Sequence, residues 1–395
     1  MVKYRWAYCA VFALASVATA ALAYAPYLPR LLWEGYPAPL WPAFGSFAEI
    51  EGGSGVPLQA NARRSALNVR LATLFEEAEG RALLVAKSGR IVMEHYAEGV
   101  SSETRFNSYS LVKSLIGALA LKAIAERRIH ARDVALEMLL PELSGSATGE
   151  LPLCRVLDMR SGIVFENDRK KQTAGLDPKD LEATKYNLFG PMARLHTQGL
   201  ASVEMQLAVE RLPVSTSQQA CNEGTYNYQN LNTALAGEVL ERVYGKPLQA
   251  ILSEKIWAPA GAAPAHWRRY DSDLPVTPYC CIYARAMDWL LVAQYLLDNG
   301  KPGVPFLPEP LWRELVGLDI PASVLHNGHY ANFAYHNVLD RGGEQLQGPF
   351  TYFFGSRGQA VYLMPKQSLA VVRFGNRPQL LHSTLYEIGR SISAN

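Results

Sequence analysis

The chain has 395 residues, of which 49% are hydrophobic and 19% are charged, a composition sufficient for one large domain or two closely packed ones. Lysine and arginine number 38 against 36 for aspartate and glutamate, so the formal net charge is +2. This near balance excludes the basic surface typical of nucleic-acid-binding proteins, and a small molecule or a peptide is the expected partner.

The N-terminal segment has the pattern of a sequence that enters a membrane. Lys3 and Arg5 precede an almost unbroken apolar run from Trp6 to Ala25. Small residues at Ala21 and Ala23 suit cleavage by a signal peptidase. The length of the run also suits a retained helix that spans the bilayer. Apolar residues that continue beyond the cleavage positions favour the retained anchor slightly.

This segment predicts where the protein is located. We expect residues 1–30 to be a signal peptide or an N-terminal membrane anchor and residues 31–70 to be a tether. The rest of the chain should then lie in the cell envelope, outside the cytoplasm. It would be either anchored to the inner membrane or exported to the periplasm, with membrane contact through the N-terminal segment only.

A β-hairpin is predicted after a short helical stretch. In "RALLVAKSGRIVMEHYAEG", two runs rich in Val, Ile and Leu flank Lys87-Ser88-Gly89-Arg90. Two such runs joined by a short glycine-containing turn are typical of paired antiparallel strands.

The next stretch, "FNSYSLVKSLIGALALKAIAE" at Phe106 to Glu126, predicts a buried helix. From Leu115 to Ala125 the only polar side chain is that of Lys122, so the helix should be covered nearly all round. Asn107 or Ser108 is expected to cap its first turn.

Ser110 and Lys113 lie three residues apart at the start of this helix, so the hydroxyl and the amine share one face. An unperturbed lysine is neutral in only about one molecule in 2,500 at pH 7. Burial and the positive end of the helix dipole both favour the neutral amine, which can take a proton from serine. The backbone N–H of Ser110 is also placed to be one donor of an oxyanion hole. About one Ser-x-x-Lys is expected by chance in a chain of this length, so its position at the mouth of an apolar helix carries the prediction.

Helical sequence continues to about residue 300, and strands return near the C-terminus. "GPFTYFFGSRGQAVYLMPKQSLAVVRFGN" predicts two or three strands with a turn at Pro365–Ser368, and "PQLLHSTLYEIGRSIS" predicts a closing helix. We therefore expect an α/β (α+β) fold with one antiparallel sheet built from both chain ends, flanked by helices, and an inserted mainly helical domain. The sheet part is assigned to residues 71–110 and 285–395, and the helical part to residues 111–284.

The cysteines show no motif. Cys9 lies in the N-terminal segment, and the spacing of Cys154, Cys221, Cys280 and Cys281 matches no zinc or redox pattern. We expect buried free thiols, with a disulfide as the alternative for an exported protein.

Two stretches, "SYSLVKSLIGALALKAIAERRIHARDVALEMLLPEL" and "LCRVLDMRSGIVFEND", resemble the serine beta-lactamase and penicillin-binding-protein superfamily. More narrowly, they resemble the class C-like serine hydrolases that include 6-aminohexanoate-dimer hydrolase and related esterases. The resemblance runs from about residue 75 to the C-terminus. It implies a beta-lactamase/transpeptidase-like fold with Ser110 as nucleophile and Lys113 as base.

In that family a Tyr-x-Asn or Tyr-x-Ser element supplies a tyrosine that relays protons. Three Tyr-x-Asn elements occur here, beginning at Tyr228, Tyr330 and Tyr335. Only the first precedes a long amphipathic helix ahead of the final strands, so the resemblance implies Tyr228. Asn230 would then orient Lys113 or the substrate carbonyl.

The family's third element is a strand with Lys-Thr-Gly or a variant, whose backbone supplies the second oxyanion donor. Here "FFGSRGQAVYLMP" occupies that place without Lys-Thr-Gly. Its Gly-x-x-Gly-Gln form resembles the dimer-hydrolase branch and implies the backbone N–H of Ser356 as the second donor. Arg357 is either a partner for a substrate carboxylate or a solvated turn residue. The missing Lys-Thr-Gly argues against beta-lactam recognition of the usual kind.

A metal site is the competing interpretation of "HNGHYANFAYH". His326, His329 and His336 are close in sequence, and three histidines can hold a catalytic zinc. No glutamate lies between the first two to act as a base, and the stretch has no helical period. We expect a polar and aromatic loop beside a cleft, and no metal or organic cofactor is required.

The sequence thus predicts a serine hydrolase that cleaves an amide or ester bond of a small molecule through an acyl-enzyme on Ser110. One alternative keeps the chemistry in a peptidoglycan D-alanyl peptidase or penicillin-binding protein. Another is a catalytically silent fold that binds a wall fragment or a protein. Specificity is expected to reside in loops such as Glu166–Leu176.

Overall fold

The computed structural model describes residues 23–36, 42, 44–54, 58–60, 65–163, 188–202, 221 and 223–393. The chain forms two compact units. The smaller unit includes the described residues among 23–46, 188–202 and 269–275, and the larger unit includes those among 47–163, 221–268 and 276–393. Most of the predicted leader and the whole Glu166–Leu176 loop lie outside the described residues. The predicted boundaries after residues 110 and 284 stay predictions.

The described helices and strands are as follows. The helices are α1 (Leu28–Trp33), α2 (Val69–Glu77), α3 (Leu111–Ala125), α4 (Leu153–Leu157), α5 (Pro191–Gln198), α6 (Asn230–Tyr244), α7 (Leu248–Leu252), α8 (Ala286–Leu297), α9 (Glu309–Leu315), α10 (Ala322–Leu325) and α11 (Leu381–Ser393). The strands are β1 (Phe47–Ile50), β2 (Gln59–Ala60), β3 (Gly80–Lys87), β4 (Arg90–Tyr96), β5 (Arg105–Asn107), β6 (Ala265–Arg268), β7 (Ile282–Arg285), β8 (Gly300–Lys301), β9 (Val304–Pro305), β10 (His329–Ala331), β11 (Ala334–Leu339), β12 (Gly348–Gly355), β13 (Gln359–Met364) and β14 (Leu369–Gly375).

The main sheet has eight strands in the order β10-β11-β12-β13-β14-β3-β4-β2. All neighbours are antiparallel except β2 and β4. Strand β14, near the C-terminus, pairs with β3, near the N-terminus, with Leu369 opposite Lys87. The predicted antiparallel sheet built from both chain ends is confirmed.

The centre of this sheet is covered on both faces. Every residue of β13 and of β14 is buried, and successive side chains of a strand point to opposite faces. One set of these side chains joins a core with Leu71 and Phe75 of α2 and with Leu385 and Ile388 of α11. Helix α8 packs against β3, β13 and β14. The helices on this sheet therefore provide the apolar cover that both faces need.

Two hairpins differ in how well the sequence predicts them. The predicted turn between β3 and β4 is confirmed, with Ser88 and Gly89 at φ +49° and +72°. The stretch predicted as a loop with the three histidines instead forms the β10–β11 hairpin, so that prediction is wrong. Its turn residues Asn332 and Phe333 have φ of +50° and +57°. Paired positive φ values are the conformation of a tight hairpin turn.

A second, four-stranded sheet in the order β1-β6-β7-β5 was not predicted. Its strands are short, and β6 and most of β7 lie in the part expected to be mainly helical. Strand β5 pairs with β7, with Asn107 opposite Tyr283. This pairing fixes the chain just before Ser110.

Helix α3 is buried nearly all round, as its composition predicts. Lys122 is partly exposed, and its Nζ donates a 2.7 Å hydrogen bond to the Phe306 carbonyl. The N-terminal turn of α3 is buried as well, from Leu111 to Ser114.

The expectation of free thiols is wrong for Cys154 and Cys221, which are joined by a disulfide. This bond links α4 to the segment that leads to Tyr228. The pairing had no signal in the cysteine spacing.

Within the described residues, none of the helices combines the length and the apolar character that a membrane span requires.

Candidate active site

The segment before α3 is held against β7 by side-chain and backbone bonds. Ser108 donates its N–H to the Ile282 carbonyl at 2.8 Å and accepts the Ile282 N–H on its Oγ at 2.9 Å. Asn107 accepts the Tyr109 N–H on Oδ1 at 2.9 Å. The predicted capping by Asn107 or Ser108 is therefore wrong, because both side chains bind outside the helix. Ser110 occupies the N-cap position, with no capping bond from its side chain.

Lys113 points back to Ser110. Its Nζ lies 3.0 Å from Ser110 Oγ and 2.9 Å from the Tyr279 carbonyl oxygen, and the residue is only 1% exposed. A neutral amine has two N–H groups and one lone pair. When one N–H donates to Tyr279, the lone pair can face the serine hydroxyl. The arrangement can therefore move a proton from Ser110 to Lys113.

The Tyr228 ring lies close to this amine. Lys113 Nζ is 5.0 Å from the centroid of the Tyr228 ring and 5.7 Å from that of Tyr279. The other two Tyr-x-Asn candidates pack elsewhere. Tyr330 packs edge-on against Tyr228 with ring centroids 6.2 Å apart, and the Tyr335 ring stacks on that of Tyr352. The structure thus brings Ser110, Lys113 and Tyr228 together.

A cluster of tyrosines adjoins Tyr228 through Tyr330, and the sequence did not predict it. Ring centroids are 5.2 Å apart for Tyr226 and Tyr330, 4.6 Å for Tyr330 and Tyr335, and 5.0 Å for Tyr335 and Tyr352. Burial raises the pKa of all four phenols above the ordinary value, in the case of Tyr352 to about 12. These side chains are therefore neutral at physiological pH and provide an apolar wall. The aromatic residues of "HYANFAY" were the feature of the sequence that could have predicted this cluster.

The end of β12 lies directly against the nucleophile. A Cβ on Gly355 would overlap the Ser108 carbonyl and would lie 3.3 Å from the Ser110 nitrogen. A side chain at this position would hold the two segments apart. Ser356 is the next residue, so its N–H begins the turn beside Ser110. The first N–H groups of a helix have no acceptor within the helix, and Ser110 N–H and Ser356 N–H form the candidate oxyanion pair.

The Gly-x-x-Gly-Gln turn is braced from behind. Gln359 donates to the carbonyls of Ser356 at 3.1 Å and Gly375 at 2.7 Å. Arg357 has φ +67°, in the left-handed region. Burial raises the pKa of the Tyr109 phenol, and the charge of Arg357 and its hydrogen bond to that phenol oppose the rise. The Arg357 guanidinium is thus directed at the residue that precedes the nucleophile.

Asn230, two residues after Tyr228, is the first residue of α6, and its side chain is half-buried. The start of this helix is fixed by its neighbours. Gln229 donates to the Ile163 carbonyl at 2.6 Å, and Ser161 Oγ donates to Asn232 Oδ1 at 2.7 Å. The stretch around Ser161 therefore positions Tyr228, a role that the sequence did not reveal.

The three histidines of the competing zinc hypothesis do not lie together as one group. His329 and His336 are paired across β10 and β11, while His326 contacts Asp340 at 2.9 Å. His336 is buried with Nδ1 2.8 Å from Thr351 Oγ1, and burial, with a smaller contribution from His329, lowers its pKa to about 3. In the part of the chain that the structure describes, no group of three or more His, Cys, Asp or Glu is arranged to hold a metal ion.

The sequence profile of the Beta-lactamase family matches residues 70–388. The chain belongs to this family. A relative, the 6-aminohexanoate-dimer hydrolase of Paenarthrobacter ureafaciens, is 27% identical over 398 aligned residues, which cover 92% of this chain and 93% of the relative. The resemblance read from the sequence is confirmed.

Solved structures of family members share the fold. A putative 6-aminohexanoate-dimer hydrolase from Bacillus anthracis superposes with a TM-score of 0.64 at 20% identity, covering 89% of each chain. A class C beta lactamase from Rhodobacter sphaeroides gives a TM-score of 0.54 at 16% identity, covering 83% of this chain and 99% of the other. The beta-lactamase/transpeptidase-like fold is confirmed. The protein is a beta-lactamase-family hydrolase related to 6-aminohexanoate-dimer hydrolase and class C beta-lactamases.

Proposed function

We propose that this beta-lactamase-family hydrolase cleaves an amide or ester bond through an acyl-enzyme on Ser110. One observation carries the proposal. The Lys113 amine is 1% exposed, lies 3.0 Å from Ser110 Oγ, and has a carbonyl acceptor for one of its N–H groups. A surface lysine that forms an ion pair would need none of these features.

The proposed reaction uses the groups that lie at the start of α3. Ser110 Oγ attacks the substrate carbonyl carbon while Lys113, helped by Tyr228, takes the hydroxyl proton. The carbonyl π electrons move to its oxygen, and the N–H groups of Ser110 and Ser356 stabilise the resulting oxyanion. The oxyanion then collapses, the bond to the leaving group breaks, and Tyr228 or Lys113 supplies the proton that the leaving amine or alcohol needs. Water, activated by the same groups, hydrolyses the acyl-enzyme.

The substrate is a small amide or ester. A relative named as a 6-aminohexanoate-dimer hydrolase supports an amide with a free carboxylate. Arg357 would bind such a carboxylate, since a guanidinium pairs with it bidentately. Asn230 would orient the substrate carbonyl or Lys113. The mechanism uses only side chains and backbone of this chain and calls for no metal or organic cofactor.

Fluorophosphonate labelling tests the proposal. Wild-type protein should be labelled, and Ser110→Ala should not be. Ser356→Ala is the matched control, because it removes an exposed hydroxyl but keeps the backbone N–H that the mechanism uses. Absence of labelling in both the wild type and Ser110→Ala would contradict the mechanism and would support a catalytically silent fold that binds a ligand.

The alternative substrate is peptidoglycan. A D-alanyl peptidase or penicillin-binding protein would react with a fluorescent penicillin at Ser110, whereas the proposed hydrolase would not be labelled. The "FFGSRGQ" segment without Lys-Thr-Gly supports the second result. Intact-protein mass after incubation with small esters, short amides and penicillin identifies the acyl group.

The proposed location is the cell envelope. The apolar run from Trp6 to Ala25 supports it, and so does the Cys154–Cys221 disulfide, since such bonds persist in oxidising compartments. Fractionation of cells, with the N-terminus of the recovered protein determined by mass spectrometry, tests this. Recovery of the protein in the cytoplasmic fraction with Met1 retained would contradict it.

A further inference from the structure

The larger unit contains a cavity of about 460 Å³ beside β10. Its lining includes β10, residues that follow α4, and α9 with the turn after it. Among the described residues of this lining, none is a candidate catalytic residue. The volume lies in the range of small-molecule sites. The cavity therefore has room for a ligand outside the candidate active site.

Two of the three arginines in this lining have carboxylate partners. Arg132 lies between two carboxylates, with guanidinium nitrogens 2.9 Å from Asp158 Oδ1 and 2.8 Å from Glu314 Oε1. Arg313 donates from Nε to Asp319 Oδ1 at 3.0 Å. The positive charges of these two side chains are therefore already matched within the protein.

The third arginine, Arg160, has no such partner. Its Nη1 donates to the Gly224 carbonyl at 2.7 Å, and none of the Asp and Glu side chains that the structure describes forms an ion pair with it. Burial lowers the pKa of the neighbouring His329, and the positive charges of Arg160 and Arg132 lower it further. The cavity thus has a positive potential beside His329. A guanidinium group there can pair with a carboxylate through two parallel hydrogen bonds.

Glu314 provides the opposite charge. Its contacts with Arg132 and with Asn332 Nδ2, at 2.8 and 2.9 Å, both use Oε1. Oε2 is left for a further donor. Arg132 supplies one positive charge for two carboxylates, those of Asp158 and Glu314, so one negative charge remains in excess. An ammonium group, with its three N–H donors, suits such a carboxylate.

Apolar side chains complete the lining, those of Pro310, Ile320 and Ala331. A short methylene chain can pack against them. One guanidinium without a carboxylate and one carboxylate in excess together match a ligand that has both a carboxylate and an ammonium group. A simple anion or a simple cation would leave one of the two protein charges without a partner, which is costly in a partly buried site.

We infer that this cavity binds a small linear amino carboxylate, with its carboxylate on Arg160 and its ammonium group on Glu314. The inference goes beyond the proposed function and does not depend on it, because neither residue takes part in the proposed reaction. Strand β10 lines the cavity and also contains Tyr330, which packs against Tyr228. The cavity therefore adjoins the wall of the candidate active site.

Isothermal titration calorimetry of the full-length protein tests this with δ-aminovalerate and two analogues of the same chain length. Valerate lacks the ammonium group, and pentylamine lacks the carboxylate. We expect δ-aminovalerate to bind about 10- to 100-fold more tightly than either analogue, since each analogue leaves one set of charged hydrogen bonds unmade. Absence of δ-aminovalerate binding, or equal binding of an analogue, would overturn the inference.

Variants assign the two charges. In Arg160→Gln, δ-aminovalerate should bind no more tightly than pentylamine, whereas Arg160→Lys keeps the charge and should lose less. In Glu314→Gln, it should bind no more tightly than valerate. Arg313→Gln is the matched control and should keep the wild-type affinity, because Arg313 lines the same cavity but is paired with Asp319. Wild-type affinity in Arg160→Gln would refute the site. The analogues test the wild type directly, so the comparison stands even where urea unfolding shows that a variant does not fold.

Arg357→Gln separates the cavity from the candidate active site. Arg357 is the proposed partner of a substrate carboxylate, so binding at the active site should be lost in this variant, while binding in the cavity should be kept. Loss of δ-aminovalerate binding in Arg357→Gln would therefore contradict the cavity site. Fluorophosphonate labelling reports on the proposed function separately. Binding without labelling would contradict only that function, and labelling without binding would contradict only this inference.

Discussion

A lysine that acts as a base must direct its lone pair at the proton that it takes. In the proposed mechanism the direction comes from the Tyr279 carbonyl, 166 positions along the chain from Lys113, which accepts a hydrogen bond from the amine. The pairing of Ser110 with Lys113 could be predicted from a spacing of three on a helix. The carbonyl could not, because any residue has one and nothing in the sequence states which carbonyl will be near. The sequence therefore predicts the local contact between Ser110 and Lys113 but not the long-range contact between Lys113 and Tyr279.

The choice of Tyr228 as the proton carrier is tested by removing one phenol oxygen at a time. Tyr228→Phe should slow acylation by about 10²- to 10⁴-fold, the usual contribution of a positioned acid–base group. Tyr330→Phe is the matched control. Its hydroxyl is buried and has no hydrogen-bond partner among the described residues, so removing it should change the rate little. The measurement is the labelling rate of each variant.

A greater loss in Tyr330→Phe or Tyr335→Phe than in Tyr228→Phe would assign the proton carrier to another Tyr-x-Asn element. Unfolding by urea should be recorded for all three variants, so that a change in rate is not confused with loss of folded protein.

The buried imidazole of His336 should make the stability of the protein depend on pH. Its pKa in the folded protein is about 3, against about 6.5 in an unfolded chain. Below pH 6.5 the unfolded chain takes up a proton that the buried imidazole does not, so stability is lost as the pH falls from about 6.5 toward 3. Between pH 7 and pH 5 this group should reduce the free energy of unfolding by about 2 kcal/mol.

Urea unfolding at these two pH values measures the effect. In His336→Gln the fall should be smaller than in the wild type by that amount. Equal pH dependence in the wild type and His336→Gln would refute the prediction.

Among the elements, α3 makes the closest packing contact that supports the site. A Cβ on Gly117 would overlap the carbonyl of Asn332, in the turn of the β10–β11 hairpin. Ser114 donates a hydrogen bond to the next carbonyl, that of Phe333, at 2.6 Å. Helix α3, which follows Ser110, and the hairpin that contains Tyr330 are thus in direct contact.

Gly117→Ala should therefore destabilise the protein by about 3 kcal/mol, the upper range for overpacking a buried contact. The control is Gly342→Ala, because a Cβ at Gly342 meets nothing within 4 Å and its φ is not positive. Urea unfolding of both variants provides the comparison. A loss below about 0.5 kcal/mol in Gly117→Ala, the range of ordinary surface changes, would show that the contact is not tight.

The two hairpins explain why one element was predicted and the other was not. Ser88-Gly89 has a glycine where the turn needs a positive φ, and this is the signal that sequence patterns detect. Asn332-Phe333 has the same backbone with an aromatic residue at the second position. Phe333 tolerates the positive φ because its side chain is buried and its N–H donates to the Leu157 carbonyl at 2.9 Å. Tertiary contacts here override the local preference that a sequence pattern records.

For the whole molecule, the decisive feature is that β14 lies between β13 and β3 at the centre of the main sheet. The apolar runs at the two chain ends predicted this arrangement, because each needs a partner that the helical middle does not offer. The short four-stranded sheet gave no comparable signal. Its strands have four residues or fewer, so their alternation is too brief to distinguish from a loop.

The central position of β14 predicts how the large unit unfolds. Every residue of β13 and β14 is buried, and β3 is buried at most positions, so their amides should exchange with solvent only when the whole unit opens. The free energy from their exchange should equal that from urea unfolding. The β10–β11 hairpin lies at the sheet edge and should exchange sooner. Exchange of β13 and β14 before that hairpin, measured by mass spectrometry of peptides, would show that the two chain ends do not unfold as one cooperative unit.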